Sequence, residues 1–502
     1  MPATTTSANA VSDGGSGAKQ PATTVRFRLV LLWILFSAAN YGYGISELNA
    51  LQPILTCQRR DPSSSTLSPI ATGCIPLTES QFGLVTSLFT LGGLASSFLI
   101  SPVSKSLGWG RRTCISWSAA AGILGSVILA ISSSLVGLGL GRFIQGIGSG
   151  IGVVIVPIFI NEISPVALKG SIGVLNQFSI VLGIFVAQAI GASSLGSDGT
   201  WWRSVPAVSG IVSVVQLVMS TVVGLESPGW LEGEGRSGGG FARDAADEVR
   251  SLLWSTSEVQ SFKASRGSFA GSGDEERQGL LSDEEPSDAP PTTTDDQVGL
   301  AGLFSDPQLR PGAILIILTQ LGQQLSGINA VLYYSVGILG SILPTLAPSI
   351  GLLITLINIL LTFPPIYLID EHRVGRRRLM LLSALTMAVS SALLGAGIVS
   401  GYKIVSAVCM VIMVAGFSFG LGPVPFVILP ELVPSRAVSS ATSLGLTLNW
   451  TANFVVGSAF LPIKNFLARF DEGHTGGAVF WIFAMTNTLT ALIVAKMYRY
   501  TE

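Results

Sequence analysis

Residues 320–335, Gln-Leu-Gly-Gln-Gln-Leu-Ser-Gly-Ile-Asn-Ala-Val-Leu-Tyr-Tyr-Ser, set three glutamines, an asparagine and two tyrosines in an apolar run that opens near Pro311. An amide both donates and accepts hydrogen bonds, and it is costly to bury in hydrocarbon without partners. A membrane helix this rich in amides should turn them toward a bundle interior or a watery cavity. There they suit a ligand covered in hydroxyls, or they bridge neighbouring helices. A lone glutamine reads as a bridge; the pair Gln323–Gln324 with Asn329 reads as a ligand-contacting set. Neighbouring residues point in different directions around a helix, so at least one of the pair should also serve packing.

The elements that must position these groups follow from composition. The chain has 502 residues, 48% hydrophobic and only 11% charged, with mean hydropathy +0.60. A soluble domain carries about 25% charged residues. Twelve apolar segments are each long enough to cross a bilayer as a helix. They lie near 29–51, 82–104, 113–132, 135–160, 170–192, 203–224, 310–336, 347–369, 378–400, 404–429, 437–461 and 476–497. Every backbone group in lipid must be satisfied internally, so the fold class expected is an all-α membrane protein of two six-helix bundles. The expected domains are a disordered tail (1–28), bundles at 29–224 and 310–497, a largely disordered central loop (225–309) and a short C-terminus (498–502). Within the loop only the stretch from Phe241 to Val259 is suited to an amphipathic helix.

Basic residues set the orientation. Arg26, Arg28, Lys105, Arg111, Arg112, Lys169, Arg373, Arg376 to Arg378, Arg436, Lys496 and Arg499 fall at one set of ends. The positive-inside rule places those ends, and both termini, in the cytoplasm. Residues 1–24 lack the basic-then-apolar order of a cleavable signal. A net charge of −1 gives no sign of a nucleic-acid partner. Cys57 and Cys74 share the loop after the first span, on the non-cytoplasmic side, where a disulfide could persist; two free thiols are the alternative. Cys114 and Cys409 fall in spans as packing residues. No metal cluster, nucleophile–base pair or phosphate loop appears, so catalysis, a cofactor and ATP-driven pumping are not expected.

The halves echo each other. Gly110-Arg111-Arg112 follows the second span and Gly375-Arg376-Arg377 the eighth. Asn161-Glu162-Ile163-Ser164-Pro165 follows the fourth span, and Pro430-Glu431-Leu432-Val433-Pro434 the tenth, with Lys169 and Arg436 downstream. Such parallel repeats place a substrate site at the half–half interface near mid-membrane.

These motifs resemble those of the sugar porter family within the major facilitator superfamily, notably facilitative glucose transporters and fungal hexose transporters. The matching segments include Gly141-Arg142-Phe143, Glu226-Ser227-Pro228, Gln323-Gln324-Leu-Ser-Gly-Ile-Asn329, Gly422-Pro423-Val-Pro425-Phe426 and Asn449-Trp450-Thr451-Ala452-Asn453. The resemblance implies sugar contacts at Gln177, Gln323, Gln324, Asn329, Asn358 and Asn453. It implies pocket aromatics at Phe417 and Phe426, the latter commonly Trp in relatives, and an outer gate at Tyr333 and Tyr334. Asn358 enters only if Glu371-His372 is a two-residue expansion; otherwise Leu360 takes its place. The resemblance further implies a cytoplasmic salt-bridge network of Arg111, Glu162, Lys169, Arg376, Glu431 and Arg436. The copy departs from its relatives at Gly229, where Arg is usual, and has no acidic residue in Lys105-Ser-Leu-Gly-Trp-Gly110.

A transporter of this kind would work by alternating access on a sugar, as a monomer, in the plasma membrane or a vacuolar or lysosomal membrane. Glu276-Arg-Gln-Gly-Leu280-Leu281 fits an acidic dileucine sorting signal. Proton-coupled relatives often carry a carboxylate at the position of Gly44, and its absence favours a uniporter. Glu47, one turn further on, keeps proton symport open, although its place near the outer end of the first span suggests a hydrated mouth. A non-transporting sugar sensor is the third reading.

Overall fold

The computed structural model describes residues 23–57, 75, 77–165, 168–194, 200–233, 240–263, 298, 300–340, 346–368, 374–428, 432–470 and 476–497. Cys74, Glu431 and the dileucine Leu280-Leu281 lie outside them, as do Glu371, His372, most of the N-terminal tail and residues 498–502. The side chain of Arg436 is likewise not described.

Six long helices make the first half: α1 (Val25–Ser46), α2 (Glu79–Leu107), α3 (Arg111–Ile131), α4 (Leu135–Ile163), α5 (Lys169–Ser194) and α6 (Ser204–Val222). A central helix, α7 (Gly240–Leu253), lies between the halves in sequence. The second half comprises α8 (Arg310–Leu325), α9 (Ile328–Gly340), α10 (Ala347–Leu361), α11 (Arg376–Val399), α12 (Lys403–Phe419), α13 (Ser435–Leu467) and α14 (Val479–Met497). Counting α8 with α9 as one span, eleven segments among the described residues are long and apolar enough to cross a membrane, and α10 is a shorter apolar helix.

Local sequence explains the ends. Thr78 and Gln81 form a reciprocal capping box at the start of α2, and Gly108 closes it in the left-handed region (φ 64°). Glycine allows close crossing: a Cβ on Gly146 would fall 2.0 Å from Phe89 O, and one on Gly92 2.1 Å from Phe143 O. That is how α2 and α4 approach without a hydrophobic drive between helices in lipid.

The halves meet along α2 against α13 and α5 against α10. The end bearing Arg111, Glu162 and Glu226 is the basic end. At the opposite end the halves are sealed together. Asn49 Nδ2 donates to Ser335 Oγ (2.8 Å) and its Oδ1 accepts from Val336 N (3.2 Å). Lys464 Nζ lies 3.7 Å from Glu79 Oε2 across α2 and α13. At the basic end Thr24 caps α1 and ties it to the last turn of α7, donating to Leu252 O at 2.7 Å.

Candidate functional site

The amides of the second half are held by two breaks. Between α8 and α9 the chain turns at Ser326 and Gly327, the latter at φ +88°. A Cβ on Gly327 would meet the Phe483 ring at 2.5 Å, so both conformation and space demand glycine. The carbonyls freed by the break find donors on α14: Thr486 Oγ1 donates to Leu325 O (2.7 Å) and Asn487 Nδ2 to Ser326 O (3.0 Å). A second break follows α12 at Gly420–Pro423. Non-helical backbone at membrane depth is tolerated where protein groups satisfy it.

Gln323 joins the two breaks. Its Nε2 donates to Leu421 O (2.7 Å) and Gly422 O (2.8 Å), and its Oε1 accepts from Asn449 Nδ2 (2.7 Å). Both its N–H groups and its oxygen thus have protein partners, the arrangement of a bridge between helices. Gln324 gives one N–H to Asn449 Oδ1 (2.9 Å) and accepts from Asn329 Nδ2; its second N–H has no further partner among the described residues. Asn449 also donates to Gln320 Oε1 (2.9 Å), so it is the hub of the lattice. It sits one helical turn before Asn453 on the same face of α13. Neither Asn449 nor Gln320 is among the contacts implied by the resemblance, yet the four-residue spacing to Asn453 was the available signal.

The other expected positions lie around this lattice. Tyr333 OH donates to Asn453 Oδ1 (2.8 Å), and Ser418 Oγ to Asn358 Oδ1 (2.8 Å). Tyr334 OH donates to Gly457 O (2.6 Å) while its ring stacks on Phe460. Both tyrosines are buried under the sealed end. Gln177 is half-buried on α5 beside Phe178, whose ring meets Phe363 across the halves at 5.3 Å. Phe417 is partly buried, whereas Phe426 is 43% exposed.

The first half carries charge instead. The hydrated mouth expected at Glu47 is not found: the side chain is fully buried and its Oε2 lies 2.9 Å from Arg142 Nη1, itself fully buried. The turn after α1 folds Glu47 inward against α4 rather than out to water. Arg142 rests over the Phe89 ring at 4.4 Å, and that ring lies where a Cβ on Gly44 would be (2.6 Å). Gln145 supports the pair, accepting from Arg142 (3.2 Å) and donating to Ser126 Oγ (3.1 Å) and Ser209 Oγ (3.3 Å).

At the basic end Arg111 and Glu162 pair at 3.1 Å within the first half, and Ser227 Oγ also donates to Glu162. Gly229 fits here because a Cβ would come within 2.8 Å of Glu162 Cγ. Glu226 accepts from the backbone N–H of Arg112 (3.2 Å) and Ser227 (3.1 Å). Burial holds its carboxyl above the usual range, against those N–H groups. Lys169 is exposed at the start of α5, and Arg376 opens α11. Cys57 is disulfide-bonded, and Cys114 and Cys409 are free and buried.

Two six-helix halves around buried polar groups, with broken helices in one half, define a transporter of the major facilitator fold. Residues 30–501 match the family of sugar (and other) transporters. The chain belongs to this sugar porter family, whose members are transporters and not enzymes. It is 32% identical over 497 residues to a probable metabolite transport protein of Saccharomyces cerevisiae, covering 96% of this chain and 94% of that one. It is 31% identical over 440 residues to the facilitated glucose transporter member 3 of solute carrier family 2 from Oryctolagus cuniculus, covering 85% and 80%. Among solved structures it is similar to the E. coli xylose transporter in a partially occluded inward-open conformation. That likeness has TM-score 0.68 at 21% identity, covering 94% of this chain and 99% of that one.

Proposed function

We propose that the protein carries a sugar, a hexose by preference, across its membrane by alternating access as a facilitative uniporter. The observation that carries the sugar reading is the neutral amide lattice of Gln320, Gln323, Gln324, Asn329 and Asn449, with Asn453 beside it on Tyr333. Neutral donors and acceptors at mid-membrane match hydroxyls without demanding a charge. Gln324, Asn329, Asn358 and Asn453, with Gln177, are the proposed contacts, lined by Phe417 and Phe426. Tyr333 and Tyr334 form the outer gate, and the termini and basic loops lie in the cytoplasm. Relatives named facilitated glucose transporters support passive transport.

The buried pair Glu47–Arg142 supports a second reading, proton symport. A carboxylate here could take up a proton when rearrangement separates it from Arg142. Uptake by purified protein in liposomes, over a panel of sugars, decides between them. For a uniporter, sugar should level at equal concentrations inside and out, with or without an imposed proton gradient. Accumulation above that level, abolished in Glu47→Gln, would establish symport; no sugar entering at all would refute both.

A further inference from the structure

The inward face of α6 is polar. Ser209, Ser213, Gln216 and Ser220 recur at intervals of four, three and four, so they share one side of the helix, and all four are buried. Ile211, Val214, Val215 and Val218 are exposed on its other side. Helix packing in membranes favours small residues, which accounts for the serines but not for a glutamine.

Polar groups of α1, α3 and α4 meet this face level by level. Deepest, Gln145 Nε2 donates to Ser209 Oγ and Ser126 Oγ and lies 3.4 Å from Glu47 Oε1. Next toward the basic end, Asn40 accepts from Ser209 Oγ (2.8 Å) and donates to Ser213 Oγ (2.7 Å). Gly122 makes room there, since a Cβ would fall 2.5 Å from Ser213 Oγ. One turn further on their helices come Gln216 and the pair Ser37 and Ser118, 3.4 Å apart. Gln216 is 1% exposed, and its Nε2 has no hydrogen-bond partner among the described residues. Last, Ser220 and Ser116 pair at 2.7 Å beside Arg112, whose Nε donates to Ser220 O at 3.0 Å. From Ser209 to Ser220 the file runs about 16 Å along α6.

A buried N–H without a partner is costly, and a water bound to it removes the cost. Gln216 Nε2 is such a group midway along the file, and Arg142 Nε and Nη2 are two more beside Glu47. Hydroxyls and water both donate and accept, so a file of them can pass a proton by exchanging O–H bonds.

We infer that this file is a proton route between Glu47 and the basic end, inside the first half and apart from the sugar lattice; it rests on the reading of the protein as a proton symporter. A hydronium at the basic end, between Arg112 and Glu226, gives up a proton. Each water or serine along the file accepts one and releases its own. A water at Ser126 and Ser209 makes the last transfer: an O–H bond forms on Glu47 Oε1 as one breaks on that water. Arg142 keeps its charge, and the ion pair becomes a neutral acid beside a cation. The other titratable groups around the pair are Tyr43 and, from α9, Tyr333 and Tyr334.

The test uses the whole protein in liposomes holding a trapped pH dye, with a sugar that the parent carries added outside. Sugar-dependent proton entry is compared with exchange of labelled for unlabelled sugar at equal concentrations, which moves no net proton. Gln216→Leu fills the middle of the file without a hydrogen-bonding group. It should slow proton entry roughly tenfold and leave exchange unchanged, whereas Gln216→Ser should stay near the parent. Ser213→Ala interrupts the file one turn deeper and should act like Gln216→Leu, which keeps the test decisive if either variant misfolds. Proton entry at the parent rate in both interrupted variants would overturn the route and leave symport standing. Equal losses of proton entry and exchange would also overturn it, making these residues structural. A parent that moves no protons with sugar would refute symport and the route together.

Discussion

The two halves solve the burial of polar groups in opposite ways. The first half buries one ion pair, Glu47–Arg142, with Gln145 and the Phe89 ring around it. Its helices run unbroken through the membrane. The second half buries no comparable pair among the described residues. It buries amides, and its helices break at Ser326–Gly327, where α14 side chains take the freed carbonyls, and at Gly420–Pro423, where the carbonyls join the lattice. Charge in a low-dielectric interior tolerates one arrangement, because separation is expensive. Neutral amides can exchange one partner for another at about 0.5–1.5 kcal/mol each. Under the proposed function, the first half is the stiffer member and the second the one that re-forms its contacts around a ligand.

The comparison is broken most severely at Arg142. Arg142→Ala leaves Glu47 buried without its counter-charge and should destabilise the protein by about 3–5 kcal/mol. Thermal unfolding of purified protein measures this. The double variant Glu47→Gln with Arg142→Gln should regain most of the loss, because both charges are removed together. A single variant as stable as the parent would show that the pair contributes no rigidity.

Within the second half the contrast is between neighbours. Gln323 spends its amide on Leu421, Gly422 and Asn449, so Gln323→Ala orphans buried acceptors and should cost about 1–3 kcal/mol of stability. Sugar affinity of the folded fraction should change little. Tryptophan fluorescence titration alongside a melting curve separates the two effects. Weaker binding at unchanged stability would move Gln323 from bridge to sugar contact.

How far the sequence foretold these roles depends on what set them. The helical spans were legible because hydrophobic length alone specifies a crossing. The break at Gly327 was not, since one glycine in an apolar run does not announce a positive φ; the Phe483 ring that enforces it comes from another helix. Adjacent amides announced a polar centre, yet which one bridges depended on Leu421 and Gly422, about a hundred residues away. Glu47 was placed too near water because distance along α1 says nothing of the turn that folds the carboxylate onto Arg142. The resemblance named Gln323 and Gln324 together, and only geometry parts them.

Gln324→Ala and Asn329→Ala sharpen the same contrast at smaller scale. Each removes a neutral hydrogen-bonding group, so each should weaken sugar binding roughly two- to tenfold. Folding should survive, because Asn449 keeps its bonds to Gln320 and Gln323. Equilibrium binding to detergent-solubilised protein reports the loss. Unchanged affinity in both would make the whole lattice structural and return the search for sugar contacts to Gln177 and Asn358.

The smallest effect distinguishes the two ends of the molecule. Arg111–Glu162 closes within one half, whereas Glu79–Lys464 crosses between α2 and α13 and must part when that end opens. A partly exposed pair contributes up to about 1 kcal/mol, which corresponds to roughly a fivefold shift between conformations. Lys464→Gln should therefore raise the population open at the sealed end by up to that factor, and Glu162→Gln should not. A cysteine at Ser87, buried on α2 beneath the seal, reports the difference through its rate of reaction with a water-soluble thiol reagent. The protein lacking that cysteine corrects for Cys114 and Cys409. Faster labelling in Lys464→Gln alone places the lock at Glu79–Lys464. Equal rates in both variants would mean that the hydrogen bonds of Asn49 and the buried tyrosines hold that end shut without help from charge.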